Sequence, residues 1–305
     1  MIKIALIFPG QGAQKVGMGK DLYDQSPEAR TIFDAADRII PSLTKVIFEG
    51  PEEKLISTAY CQPAILTVSL SALEAFKAHP KFQNVSVQYA AGLSLGEYSA
   101  LAAARVLSFE DTLKVVQKRS AFMEEAAKLA PGKMAAIIGF DQHKLNDICQ
   151  ETGAEVANFN SLEQIVITGY ADKVLAASAK VQQEGGKVIP LAVSGAFHSS
   201  LMKSAAEHFK EALKGVPFQK GKFSVVTNVD GKVYDDPDAV RQNLALQITS
   251  SVQWVESVRF MAHAGIKDFI EIGPGRVLKG LVRKIDSNLV VHNIQTPADI
   301  EALLF

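Results

Sequence analysis

The chain has 305 residues, 48% hydrophobic and 21% charged, ordinary values for a globular protein with a sizeable core. A net charge of −1 gives no bulk field toward nucleic acid or a membrane surface, and no stretch approaches the ~18 apolar residues of a membrane-spanning helix. Cys61 and Cys149 lack metal-ligand spacing and are too few for a disulfide scaffold, which fits a cytoplasmic protein.

The length predicts about two domains, or one large α/β domain carrying an insertion. Ile4–Phe8 is a continuous apolar run, the pattern of a strand buried on both faces of a parallel sheet. It is too short for a signal-peptide core, and no cleavage pattern follows it. Pro9 ends it. Gly10-Gln11-Gly12-Ala13-Gln14 then makes a tight loop at the C-terminal end of the strand, where α/β folds place ligands. A dinucleotide site would need glycine where Lys15 stands, and a phosphate-binding Gly-Lys-Ser/Thr is missing. Residues 27–39 and 62–78 are predicted helical, the second opening at Pro63, where a missing N–H is harmless.

Val85–Ala91 reads as a strand and Glu97–Ala104 as a helix. Between them stands Gly92-Leu93-Ser94-Leu95-Gly96, a Gly-x-Ser-x-Gly at a strand-to-helix turn, which is the arrangement of a nucleophile elbow. A sharp turn brings the flanking backbone together, so a Cβ at either glycine would collide. The turn presents the Ser94 hydroxyl at the top of the sheet.

Ser108 is the expected N-cap of a helix reaching about Leu129, with Glu110 and Asp111 in its first turn. Thr112, Val116, Arg119, Met123 and Ala126 share one largely apolar face of it. Arg119 on that face is read either as a snorkelling or salt-bridged structural residue or as a guanidinium able to grip a substrate carboxylate in a bidentate manner. After Pro131-Gly132 the rhythm changes. Strands at Met134–Phe140, Glu155–Phe159, Gln164–Tyr170 and Lys187–Val193 alternate with helices at Gln142–Glu151 and Ala171–Glu184. This β-α-β-β-α-β order is a split βαβ, or ferredoxin-like, unit. The expected organisation is therefore a large α/β domain of residues 1–130 and 197–305 with a parallel central sheet, and a small inserted subdomain of residues 131–196.

His198 follows a strand and Gly195 and precedes a helix predicted to run to about Leu213. A helix N-terminus disfavours imidazolium, so this histidine is the candidate general base. His208 and His263 fall within helices, His79 in a turn before Pro80, and His143 and His292 at ends of small elements. Phe223–Asn228 is a predicted strand, Asp230-Gly231 a turn, 237–248 and 252–264 helices, and Ile266–Ile272 a strand ending in Gly273-Pro274-Gly275. A short helix with Arg276, Lys279, Arg283 and Lys284 follows, either a solvated face or a docking patch for an acidic partner.

Several stretches together resemble the malonyl-CoA:acyl carrier protein transacylases and, beside them, polyketide synthase acyltransferase domains. They are Phe8–Gln14, Gln62-Pro63-Ala64, Gly92–Ala100, Arg119, Asn158–Ser161, Gly195–His198 and Glu271–Gly275, in family order along nearly the whole chain. The resemblance implies a hydrolase-like α/β domain with a ferredoxin-like insertion. It implies Ser94 as acylated nucleophile, His198 as its base, and no acidic third member. A main-chain carbonyl at Gln247 would orient the imidazole, and the N–H groups of Gln11 and Leu95 would form the oxyanion hole. Arg119 would hold the malonyl carboxylate, with Met123, Phe197 and Asn160 in the substrate pocket. The partners implied are malonyl-CoA and an acidic acyl carrier protein, with no metal or redox cofactor, in fatty acid synthesis or a polyketide pathway. Phe197 in Gly-Ala-Phe-His points to malonyl over methylmalonyl. Leu93 departs from the family's frequent histidine before the nucleophile.

A serine hydrolase is the rival enzyme class, since it shares the elbow. It usually adds an acid between serine and histidine; Asp141, Asp147 and Asp172 lie in that interval but in the insertion. A non-catalytic binding module would leave the elbow, Arg119 and His198 unexplained.

Overall fold

Alternation along the first strand sets the architecture. In β1 (Ile2–Phe8), Ile4, Leu6 and Phe8 enter one hydrophobic cluster while Ala5 and Ile7 enter another, as period-two side chains must on a strand covered on both faces. The structure, a computed structural model, describes residues 1–193 and 195–304. Its further strands are β2 (Val85–Gly92), β3 (Gly132–Ile138), β4 (Glu155–Ser161), β5 (Gln164–Tyr170), β6 (Lys187–Pro190), β7 (Ser224–Val226), β8 (Asp268–Ile272) and β9 (Val290–Ile294).

The central sheet has the order β7-β2-β1-β8-β9 with every neighbour parallel. Parallel neighbours require crossovers, and helices supply them on both faces. Thr58–Ala78 and Phe109–Leu129 pack in the larger cluster with Leu6 and Phe8; Trp254–His263 and Val277–Ile285 cover the opposite face. The second sheet is antiparallel, in the order β4-β5-β3-β6. Its helices, Gln142–Thr152 and Ala171–Gln183, bury Ala135, Ile137, Ile165 and Ile167 in a core of their own. The other face gives Met134, Ala136 and Val166 to the main cluster. The parallel sheet and the ferredoxin-like strand order expected from sequence are both present.

The two sheets are also joined through the backbone. Val252 N–H donates to Ala157 O at 2.8 Å, Phe159 N–H donates to Val252 O at 2.9 Å, and Ser251 Oγ donates to Val156 O at 2.6 Å. Edge strand β4 is thereby stitched to the segment that precedes helix Trp254–His263.

Three helices, Lys20–Gln25, Leu43–Glu49 and Glu52–Ile56, are not expected from sequence; they are only 6, 7 and 5 residues long, too short for a helical period to show, and none has a side-chain N-cap bond. Pro63 corrects one expectation. It lies inside Thr58–Ala78 rather than at the start. The turn before it forms because the Ser57 carbonyl accepts from Cys61 N–H at 2.8 Å and the Glu124 carboxylate accepts from Ala59 N–H at 3.2 Å. Tertiary packing supports a proline whose missing N–H removes one helical bond. Among the described residues, no helix is long and apolar enough to cross a membrane.

Candidate active site

The elbow is as tight as its glycines suggest. A Cβ on Gly92 would stand 1.9 Å from the Gly96 carbonyl carbon, and one on Gly96 would stand 2.1 Å from Phe8 O. Ser94, between them, takes φ 52°, a left-handed conformation that non-glycine residues adopt under constraint. The constraint is visible: Asn228 Oδ1 accepts from Ser94 N–H at 2.6 Å while Asn228 Nδ2 donates to Gly92 O at 2.7 Å. Sequence reading missed Asn228. The available signal was its place just after β7, which pairs with the elbow strand β2.

His198 also has a positive φ, 57°. Its Nε2 lies 2.8 Å from Ser94 Oγ, and its Nδ1 lies 2.9 Å from Gln247 O and 3.1 Å from Ser250 O. Two carbonyl acceptors place the ring proton on Nδ1, which leaves Nε2 free to take the serine proton. Burial pushes the His198 pKa down to about 4, the nearby Arg119 charge adds to this, and the two carbonyls oppose it. This amends the helix-dipole expectation, because the chain after His198 is a three-residue 3-10 turn, Ser200–Met202, and the α-helix starts only at Lys203. Asp141, Asp147 and Asp172 lie on the inserted unit's helices or cap, with Asp141 accepting from Lys144 N–H. Among the described residues no carboxylate bonds to His198.

Arg119 is 1% exposed. Its Nη1 donates to Gln62 Oε1 at 2.6 Å, and its Nη2 donates to Ser94 Oγ and to Gln247 Oε1, both at 3.0 Å. The guanidinium sits over the Tyr98 ring at 5.1 Å. Every one of these partners is neutral. Nε has no hydrogen-bond partner among the described residues, and no carboxylate there forms an ion pair with the group. A buried cation of this kind is completed by an anion.

Gln11, Leu95, Met123, Asn160 and Phe197 line a cavity of about 440 Å³ that also exposes Ser94, His198 and Arg119, a size suited to a small acyl group and its thioester arm. Asn160 Nδ2 donates to Gln164 Oε1 at 3.1 Å, while its buried Oδ1 lacks a partner among the described residues. Leu93 lines the same cavity and packs on the cluster containing Trp254 and Val258, so the position that departs from the family pattern is an apolar wall. Gln247 lies behind the cavity, bonded to both His198 and Arg119. Glu97, a further residue missed in sequence, is 1% exposed. Its Oε2 accepts from Asn228 N–H at 3.0 Å and from Gln247 Nε2 at 2.6 Å. Burial pushes its pKa up to about 7, against the pull of the Gln247 and Asn228 hydrogen bonds and of Arg119.

A strained serine whose oxygen touches a neutral, carbonyl-held imidazole can attack an activated carbonyl and carry the acyl group. With this fold, that chemistry defines a serine-dependent acyl-transfer enzyme. The sequence pattern of the acyl transferase domain matches residues 5–296, and the chain belongs to that family. It is 43% identical to the malonyl CoA-acyl carrier protein transacylase of Bacillus subtilis (strain 168), covering 99% of this chain and 96% of that one. The acyl-carrier-protein-S-malonyltransferase of Bartonella henselae superposes with a TM-score of 0.94 at 36% identity, over 99% of this chain and 98% of that one. A malonyl-transacylase in complex with its type II PKS acyl-carrier protein gives 0.93 at 35% identity, over 98% of each chain.

Proposed function

We propose that the chain is a malonyl-CoA:acyl carrier protein transacylase acting in fatty acid synthesis in the cytoplasm. The observation that carries this reading is Arg119, a buried guanidinium beside Ser94 Oγ with only neutral partners. A dicarboxylic acyl group supplies the missing anion.

In the first half-reaction Ser94 Oγ attacks the malonyl thioester carbonyl and its proton passes to His198 Nε2. The Gln11 and Leu95 N–H groups receive the oxyanion; each such donor is worth about 3 kcal/mol. The C–S bond then breaks, and CoA leaves as a thiol with the proton held by His198. In the second, the phosphopantetheine thiol of the carrier gives its proton to His198 and attacks the malonyl-Ser94 ester. Collapse breaks the C–O bond and returns the proton to Ser94. Met123, Phe197 and Asn160 wall the acyl pocket. The two cysteines are buried and unpaired, in keeping with a cytoplasmic site of action. The acidic carrier docks against basic residues of helix Val277–Ile285, which packs against β4 and so stands beside the strand that carries Asn158 and Asn160 to the cavity.

Intact mass tests the reading. Mixing with malonyl-CoA adds one malonyl group, later addition of carrier protein moves it, and Ser94→Ala takes none. A persistent adduct on Ser94→Ala refutes the nucleophile, and loss of the adduct to water without a carrier refutes the transferase.

A further inference from the structure

Glu97 is a buried carboxylate that the acyl-transfer steps do not use. It follows the elbow directly, in the first turn of helix Gly96–Ala103. Both donors to its Oε2 stand one step from a reacting group. Asn228, whose N–H is one donor, clamps the elbow through its side-chain bonds to Ser94 N–H and Gly92 O. Gln247, whose Nε2 is the other, carries the main-chain oxygen that accepts from His198 Nδ1 and the side-chain oxygen that accepts from Arg119 Nη2.

An amide has one donor end and one acceptor end. One end of the Gln247 amide faces two acceptors, Glu97 Oε2 at 2.6 Å and Ser94 O at 3.1 Å. That end must be the NH2, which turns Oε1 toward the guanidinium. Reversing the amide would set NH2 against Arg119 and a carbonyl against Glu97, breaking bonds on both sides. The arrangement survives protonation of Glu97, since Oε2 still accepts when the proton sits on Oε1.

We propose that Glu97 is a positioning residue: by fixing which end of the Gln247 amide faces Arg119, and by holding the Asn228 main chain, it sets the relative placement of Ser94, His198 and Arg119. The preference for a carboxylate-bearing acyl group depends on that placement, so the inference rests on the malonyl-transfer reading.

The test compares wild type, Glu97→Ala and Glu97→Gln as full-length proteins, following Ser94 acylation by malonyl-CoA and by acetyl-CoA with Tm alongside. A misplacement of about 1 Å costs on the order of 100-fold in rate. Glu97→Ala is therefore expected to lose roughly that factor with malonyl-CoA, and at least about tenfold of its malonyl-over-acetyl preference. Glutamine keeps an acceptor at the Oε2 position and is expected to restore most of both. A Glu97→Ala protein that lowers Tm and slows both acyl groups by the same factor overturns the proposal, as does a Glu97→Gln protein no better than alanine. If Glu97→Ala does not fold, Gln247→Leu removes the relay with Glu97 intact; lost preference supports the proposal and retained preference overturns it. A wild-type protein that takes no malonyl group overturns the functional reading instead, and is recognised in the same experiment.

Discussion

Replacing Arg119 with alanine separates substrate recognition from structure. Its Nη1 and Nη2 engage Gln62, Ser94 and Gln247, and its Nε lacks a partner. In the proposed malonyl complex the carboxylate meets this buried cation, itself 1% exposed. Truncating one partner of a buried, hydrogen-bonded charge pair costs about 2–5 kcal/mol. At 1.36 kcal/mol per decade this is roughly 30-fold to several thousand-fold in kcat/KM for malonyl-CoA. Acetyl-CoA has no carboxylate to lose, and it escapes the burial of an unpaired cation that penalises it in the wild type. The same substitution strips Gln62 Oε1 and Gln247 Oε1 of a donor, but that loss falls on both acyl groups alike. The ratio of the two acylation rates is thus the informative quantity. Single-turnover acylation of Ser94, read by intact mass at subsaturating acyl-CoA, measures it. The expected result is a malonyl-to-acetyl ratio lower by about 30-fold or more. An equal fall for both substrates would falsify the recognition role and leave Arg119 as a structural cation.

The pH profile tests the base. As the proposed base His198 acts only when neutral, and burial and then Arg119 push its pKa down to about 4. Stopped-flow acylation is expected to stay level from pH 7 to about 5 and to fall only on approaching 4, with Arg119→Ala moving that limb upward; a wild-type midpoint near 6.5, the ordinary histidine value, refutes the buried carbonyl-held base. Charge reversal at Lys279 and Arg283 on helix Val277–Ile285 is expected to raise the KM for carrier protein about tenfold while leaving that for malonyl-CoA unchanged, because rim charges act on encounter with a charged partner. Steady-state kinetics with both substrates decides it, and equal effects on the two KM values remove the docking patch.

The parts legible in the sequence are those where local chemistry and tertiary role coincide. Ile4–Phe8 reads as a doubly covered strand because both faces demand apolar side chains, and it alternates between two clusters in the structure. The elbow reads because only glycine fits where an added Cβ at Gly92 would stand 1.9 Å from the Gly96 carbonyl carbon. Ser108 reads as an N-cap, and its side chain accepts from Asp111 N–H at 3.0 Å. The three short helices before residue 57 do not read, since 5 to 7 residues give no clear helical period and none has a side-chain cap. Asn228 and Glu97 were invisible for a different reason. Each lies next to a recognisable element, but its partners are 131 to 136 residues away for the bonds joining Asn228 to Glu97, Ser94 and Gly92. No local pattern marks a polar residue whose acceptor comes from another strand.

The absence of a carboxylate on His198 among the described residues fits the charge arrangement that we propose selects the acyl group. His198 Nε2 and Arg119 Nη2 both contact Ser94 Oγ, at 2.8 and 3.0 Å. A buried acid on Nδ1 would be a fixed anion in this network, competing with the substrate for the field of Arg119 and raising the imidazole pKa. The Gln247 and Ser250 carbonyls fix the same tautomer without adding charge. Glu97 belongs to the network, yet its bonded oxygen faces the Gln247 Nε2, while the Gln247 carbonyl oxygen faces Arg119. Burial also pushes its pKa up to about 7, which weakens it as a counter-charge to Arg119. On the proposed mechanism the guanidinium keeps charge to offer the cavity, and a base that stays neutral beside it activates the serine. On the proposed reading, orienting the histidine with carbonyls and selecting a dicarboxylic acyl group both go with an Arg119 whose hydrogen-bond partners are all neutral.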